Sequence, residues 1–273
     1  MRQPAGGRKG LLATLALVAV VLLLTSSPVV AKRYNPHRQH RKYDPELLQS
    51  VVGFCDVATS AATCQGGYNS TSTFTGTVAA GDVVTLSMTY EDNGGASPAL
   101  GFSDSMGVNV TVVVQSCAPT NPVICSAVGY FVPSSTGLVV VTFEVQGGTT
   151  GCIHFTAQDW FANNSGSLQH AGTSGYCTAC TGNLTLAPVT LGTLPSEVIA
   201  VGQTQAFFST DPTGISPSLP FFYSHYSVCD GSIYGDLVTW QATDGNATSY
   251  DFAATVTGAA PVVFAGAAAV LYV

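Results

Sequence analysis

The chain has 273 residues, 46% of them apolar and 8% charged, with a formal net charge of −7. Ordinary globular domains carry roughly 25% charged residues, so charge is scarce here, while the apolar content excludes an intrinsically disordered chain. All eight Lys and Arg lie between Arg2 and Lys42, and all fifteen carboxylates lie between Asp44 and Asp251. This excludes any Lys or Arg salt bridge made within the stretch beyond Lys42. Protons, metal ions or a cationic partner must offset its charge, and uncompensated charge works against compactness.

Residues 1–31 predict a secretory signal. Arg2, Arg8 and Lys9 precede the apolar run LLATLALVAVVLLL, and Val29-Val30-Ala31 is a small-residue cleavage site. The run is shorter than the roughly 20 residues a membrane span needs, and Pro28 stops a continuing helix. Two alternatives stand beside cleavage after Ala31: an uncleaved anchor, and a cut after Gly10 that leaves the apolar run as a filament-core helix. Cleavage after Ala31 leaves five Lys/Arg against fifteen Asp/Glu. The expected location is extracellular, with the membrane met only during export.

Residues 32–43, KRYNPHRQHRKY, read as a flexible basic arm carrying Lys32, Arg33, Arg38, Arg41 and Lys42. Its bases are not interleaved with recognition residues, so nucleic acid is not the expected partner. Three roles fit it: contact with an anionic envelope, a processing site at Arg38–Lys42, or docking on the acidic body of the next copy. A head-to-tail contact of that kind builds rings or filaments. Residues 47–58 are apolar enough to add as a strand to a neighbour's sheet edge. Locally, Asp44-Pro45-Glu46 predicts a helix start continuing through LLQSVV, with Asp as N-cap and Pro at the first helical position.

Residues 44–273 predict a single all-β domain. Strands are expected near 73–80, 82–90, 108–116, 124–132, 137–146, 152–160, 183–190, 197–208, 221–228, 234–241, 249–257 and 261–273, separated by Gly, Pro, Asn and Ser. In 82–90, Val84, Leu86, Met88 and Tyr90 share one face and Thr85, Ser87 and Thr89 the other. No internal repeat is visible. The terminal PVVFAGAAAVLYV suits a buried last strand better than the tail of a lipid-anchor signal, for which a polar spacer is missing.

Eight cysteines, at 55, 64, 117, 125, 152, 177, 180 and 229, behind a signal predict disulfides. Cys117–Cys125, flanking a loop between two strands, is the first choice and Cys55–Cys64 the second. Cys177-Thr-Ala-Cys180 reads as a structural disulfide in preference to a zinc or redox pair. Sequons at Asn69, Asn109, Asn163, Asn183 and Asn246 predict a glycosylated surface.

The segment 81–114 carries Gly81-Asp82, a strand ending on Tyr90, the Gly-rich loop Asn93-Gly94-Gly95, and Ser103-Asp104-Ser105 with Gly107 and Asn109. It resembles the opening of a secreted jelly-roll, lectin-like β-sandwich module of archaeal and bacterial surface proteins, as do residues 129–145 and the Ala-rich last strand. The resemblance implies a jelly-roll-like two-sheet sandwich and an extracellular setting, and it brings no catalytic residues. The basic arm and the eight cysteines depart from it. Archaeal threads and cannulae assembled by strand donation are the analogous assemblies.

Asp104 predicts a local turn, its carboxylate bonding the backbone two residues on, with Gly107 at positive φ. The alternative is calcium held by Glu91, Asp92 and Asp104 from converging loops, with Asp230, Asp236 and Asp244 as a second group. No nucleophile-elbow, zinc-protease, P-loop or dinucleotide motif occurs. His154, His170 and His225 are scattered, and Glu144 and Asp159 are the carboxylates an acid-stable hydrolase would use. Trp160, Trp240, Tyr90 and Phe221-Phe222-Tyr223 are the aromatics a carbohydrate site would use, though strand aromatics are more often core. The expectation is therefore a structural subunit of an extracellular assembly, a partner to copies of itself. A carbohydrate-binding module is the alternative.

Overall fold

The computed structural model describes residues 45–56, 69–92, 98–120, 123–147, 151–180, 183–208, 213–217, 221–227, 234–243, 247–258 and 261–273. The expected signal (residues 1–31) and the expected basic arm (residues 32–43) lie outside them. Strands dominate, a short 3-10 turn at Ser165–Ser167 is the exception, and no α-helix occurs among the described residues. No helix among them is long and apolar enough to cross a membrane.

The first half holds β1 (Glu46–Asp56), β2 (Asn69–Thr73), β3 (Val83–Asp92), β4 (Ala99–Asp104), β5 (Thr111–Ala118), β6 (Val123–Phe131), β7 (Val140–Gln146) and β8 (Gly151–Phe161). They form a five-stranded sheet in the order β1-β8-β3-β6-β5 and a three-stranded sheet in the order β2-β7-β4, with antiparallel neighbours throughout. Alternation places Val84, Leu86, Met88 and Tyr90 of β3 in one core with Val141, Phe143 and Val145 of β7. Across that core the Phe143 ring stacks on Phe155 of β8, 4.4 Å between centroids.

The second half holds β9 (Gln169–Cys177), β10 (Leu184–Thr185), β11 (Val189–Thr190), β12 (Val198–Phe208), β13 (Gly214–Pro217), β14 (Phe221–Ser227), β15 (Tyr234–Ala242), β16 (Ser249–Tyr250), β17 (Ala253–Thr257) and β18 (Pro261–Tyr272). Its sheets run β14-β15-β12-β18-β9 and β10-β17-β13, with the pair β11-β16 beside the latter in sequence. Counting β10 with β11 and β16 with β17 as interrupted strands, each half has eight strands among the described residues. Both halves then have the same wiring: first, last, third, sixth and fifth in the large sheet, and second, seventh and fourth in the small one. The sequence shows no repeat because the ladder is made by backbone groups, which leaves the side chains free to differ.

The two large sheets pack on each other. Val83, Val128 and Trp160 from the first meet Ile199, Val201, Ala267, Ala269 and Leu271 from the second. The result is two sandwiches sharing a seam, within one compact unit. The all-β sandwich class is as expected, but the chain builds four layers. The polar face expected for β3 is therefore no outer surface: Thr85, Ser87 and Thr89 are all buried under the second half. Hydrogen bonds tie this seam together in part, while Thr156 Oγ1, Gln203 Oε1 and Gln205 Oε1 have no partner among the described residues. Gln203 Nε2 donates to Thr89 Oγ1 (3.3 Å) and to the His154 carbonyl (3.1 Å), Ser126 Oγ donates to the Gln203 carbonyl (2.8 Å), and Trp160 Nε1 donates to Thr85 Oγ1 (3.0 Å).

The helix expected after Asp44 is instead β1. An N-cap signal is worth about 1 kcal/mol, and a long ladder with apolar burial outweighs it. The terminal run 261–273 is the buried strand expected of it, lying between β12 and β9. Cys117–Cys125 is a disulfide between directly opposed residues of β5 and β6, Cα atoms 4.0 Å apart, and Cys177–Cys180 is a second. Cys152 is disulfide-bonded as well. Cys64, Cys229 and the Cys55 side chain lie outside the described residues.

Candidate functional site at the first strand

Among the described residues β1 is the outermost strand of its sheet and pairs on one side only, with β8. Ten residue pairs run antiparallel from Glu46↔Phe161 to Asp56↔Cys152, with one irregularity between Leu47 and Gln49. That bulge re-aims the chain. Leu47 packs into the seam with Trp160, whereas Gln49 turns toward the core between the two sheets of the first half. Beyond it, Val51 packs on that core. Gly53 lies against the Phe155 ring, which a Cβ would overlap. The ring is held by its stack on Phe143, so glycine is required there, and this aromatic-over-glycine contact fixes the register.

Gln49 is a bidentate clasp. Its Oε1 accepts from Gly76 N–H (3.0 Å), while Nε2 donates to Asp159 Oδ2 (2.8 Å) and to the Thr77 carbonyl (3.5 Å). Asp159 is 0% exposed and Asp82 beside it is 4% exposed. Asp82 Oδ2 accepts from Ala79 N–H (2.9 Å). Two carboxyls thus share a nearly dry site with no Lys, Arg or His facing them among the described residues. Burial pushes the Asp159 carboxyl up to about 7. The Gln49 hydrogen bond opposes this, and the charge on Asp82 adds to it. Burial also raises Asp82, against the pull of the Ala79 N–H and of Asp159. Asp159 Oδ1 has no hydrogen-bond partner among the described residues. A proton on Asp159, donated toward Asp82, makes the pair a hydrogen-bonded acid and carboxylate in place of two repelling charges.

The other expected site residues are dispersed. Asp104 makes the local turn: Met106 N–H donates to Asp104 Oδ1 (2.7 Å), and Gly107 has φ +70. Glu91 is buried on the seam-facing side of β3, near the end where β8 begins. Asp104 closes β4 opposite Val141, at the other end of the sandwich. The calcium trio is therefore not brought together, because strand parity and opposite ends separate its members, and the Asp92 side chain lies outside the described residues. Among the described residues no group of three or more His, Cys, Asp and Glu is placed to hold a metal. Asp230, Asp244 and the Asp236 side chain lie outside them.

Glu144 accepts from Ser103 Oγ (2.5 Å) on the outward side of β7, so it is not joined to Asp159 as a hydrolytic pair would be. His154 is buried in the seam, where desolvation lowers its pKa to about 4, and His170 is exposed beside the Tyr130 hydroxyl. Trp160 and Tyr90 are core residues. Trp240, His225 and Phe221-Phe222-Tyr223 have side chains outside the described residues. Asn109, Asn163 and Asn183 are exposed, while Asn246 and the Asn69 side chain fall outside.

The sequence points to Asp159 but not to Asp82 and Gln49 as its partners. A usable signal exists: Asp82 shares parity with Val84 and Leu86, and Asp159 with Phe155 and Ala157, so both carboxylates fall on apolar faces. No family model matches the chain. No curated protein and no solved structure matches it.

Proposed function

We propose that the protein is a secreted, glycosylated structural subunit of an extracellular assembly, in which β1 of one copy adds to the β8 edge of the next. The observation that carries this reading is the position of β1. Among the described residues it is an edge strand, directly after the basic segment in sequence, and it is held by one neighbour through a register-specific seat. Exchange between copies would rebuild the same contacts in trans, which is why swapping an element is a low-cost route to association. The 12 residues between β1 and β2 can reach roughly 40 Å when extended. The order β1-β8-β3-β6-β5 over β2-β7-β4 leaves the first strand at a sheet margin, a position from which it can be exchanged. The disulfides and the exposed Asn109, Asn163 and Asn183 support an extracellular setting. The basic arm preceding β1 would bring a cationic segment to the acidic surface of the neighbour.

Val52 and Thr156 are directly paired across β1 and β8. A Val52→Cys/Thr156→Cys variant, assembled and then oxidised, should give a ladder of covalent multimers on a non-reducing gel, with polymers visible by electron microscopy. Cross-linked monomer alone from assembled material would refute strand exchange.

A further inference from the structure

We infer that Asp82, Asp159 and Gln49 form a proton-operated latch on β1, closed when the carboxyl pair holds its proton and opened when both carboxyls ionise. The inference rests on the strand-exchange reading for its biological use, but its physical content concerns the seat alone.

The geometry carries it. Three elements supply the latch: Gln49 from the bulge of β1, Asp82 at the entry to β3, and Asp159 near the end of β8. The segment 74–81 closes the site through Gly76, Thr77 and Ala79, and residues 132–139 approach through Thr136 Oγ1, which accepts from Ala80 N–H (3.0 Å). Neither segment contains a titratable residue. Glu46, at the start of β1 opposite Phe161, Glu197, held by the Asn163 and Asn164 N–H groups just beyond β8, and Asp104, engaged in its own turn, are the other described acids at this end, and no Lys, Arg or His from these elements faces the pair. The hydrogen bond from Gln49 and that from Ala79 can each support one carboxylate. Neither can separate two negative charges in a site shielded from water, where Coulomb repulsion is strong. With one proton present the pair is mutually satisfied and Gln49 bridges β1 to it.

Ionising both carboxyls demands water or a counter-ion. β3 and β8 are held on both sides within the sheet, whereas β1 has one neighbour among the described residues. The least costly way to hydrate the pair is therefore to lift β1 at Gln49, which also releases Gly53 from Phe155. Acid would lock a seated strand, whether it comes from the same copy or from another, and pH above neutral would free it for exchange. The acid locking would also supply part of the compensation that a body without Lys or Arg lacks.

The test is backbone hydrogen–deuterium exchange of the full chain as a monomer, corrected for the intrinsic pH dependence of exchange and referenced to β3. Protection of β1 should fall about tenfold or more between pH 5.5 and 8.5. Asp159→Asn, which mimics the protonated acid, should keep β1 protected at both values, and Asp82→Asn should do the same by removing the second charge. Should Asp159→Asn not fold, Asp82→Asn alone decides. Equal protection of wild-type β1 at the two pH values would overturn the latch, as would a variant retaining the wild-type fall. Because the readout is monomeric, a pH-gated β1 in a protein that forms no polymers would sustain the latch while refuting strand exchange.

Discussion

Buried titratable groups set how this protein responds to pH, and two of them oppose each other. Asp159 has its folded pKa raised from 3.8 to about 7. Between those values the unfolded chain has lost a proton that the folded chain keeps, so stability falls as pH rises from about 4 to 7. Asp82, raised in the same direction, adds to this fall. His154 has its folded pKa lowered from 6.5 to about 4. There the unfolded chain takes up the proton first, so stability falls as pH drops from 6.5 to 4. Each tenfold change in proton affinity on folding is worth about 1.4 kcal/mol, and the slopes act against each other over the shared window. The wild type should show a shallow profile in urea denaturation between pH 4.5 and 6.5. Asp159→Asn should instead gain stability steadily with pH, by a few kcal/mol across the window. A profile unchanged from wild type would mean that Asp159 does not hold the proton.

Individual strands show where reading the sequence succeeds and where it stops. Alternation in β3 and β7 is legible because one face of each is uniformly apolar, and their limits agree with expectation to within a few residues. β1 reads as a helix because Asp44-Pro45-Glu46 is a strong local signal, whereas its ladder with β8 joins residues about a hundred positions apart in sequence. β9 (QHAGTSGYC) gives no strand signal because it is polar and glycine-containing, and β4 (ALGFSD) gives none because Leu100 and Phe102 are its only large apolar residues. At the candidate site, the parity of Asp82 and Asp159 is legible and their proximity is not, since it depends on β3 lying beside β8. The seat of β1 gives a direct test at this scale. Gly53→Ala drives a methyl into a ring that cannot withdraw, and overpacking of this kind costs about 1–3 kcal/mol. Chemical denaturation should show that loss, with amide exchange in β1 accelerated more than in β6. An unchanged midpoint would indicate that Phe155 can move aside.

The seam decides how the whole molecule behaves. Each half taken alone would expose apolar side chains such as Trp160 and Val83, or Ile199 and Leu271, along with a row of Ser, Thr and Gln. Glu197 adds a tie between the halves. Its Oε2 accepts from the Asn163 and Asn164 N–H groups (3.1 and 3.3 Å), and its Oε1 accepts from Asn164 Nδ2 (3.0 Å), which pins the short connection from β8 to β9. The two sandwiches should therefore melt as a single cooperative transition, with calorimetric and van't Hoff enthalpies equal. Gln203→Ala strips donors from Thr89 and the His154 carbonyl and should lower stability by about 1–3 kcal/mol without splitting that transition. Two resolved transitions in the wild type would mean that the seam is only a contact. The seam is not legible in the sequence, because a polar strand face reads as solvent-facing unless a second sheet is known to cover it.

The antiparallel ladder of β1 on β8 has a mechanical consequence. The chain enters β1 at the Phe161 end of β8, so tension drawn through the basic segment and along the strand axis loads the ladder lengthwise. Its ten residue pairs then resist together, as rungs in shear, where a pull across the sheet would unzip them one at a time. A filament joined by this strand would be strong along its length and weak to peeling at each joint.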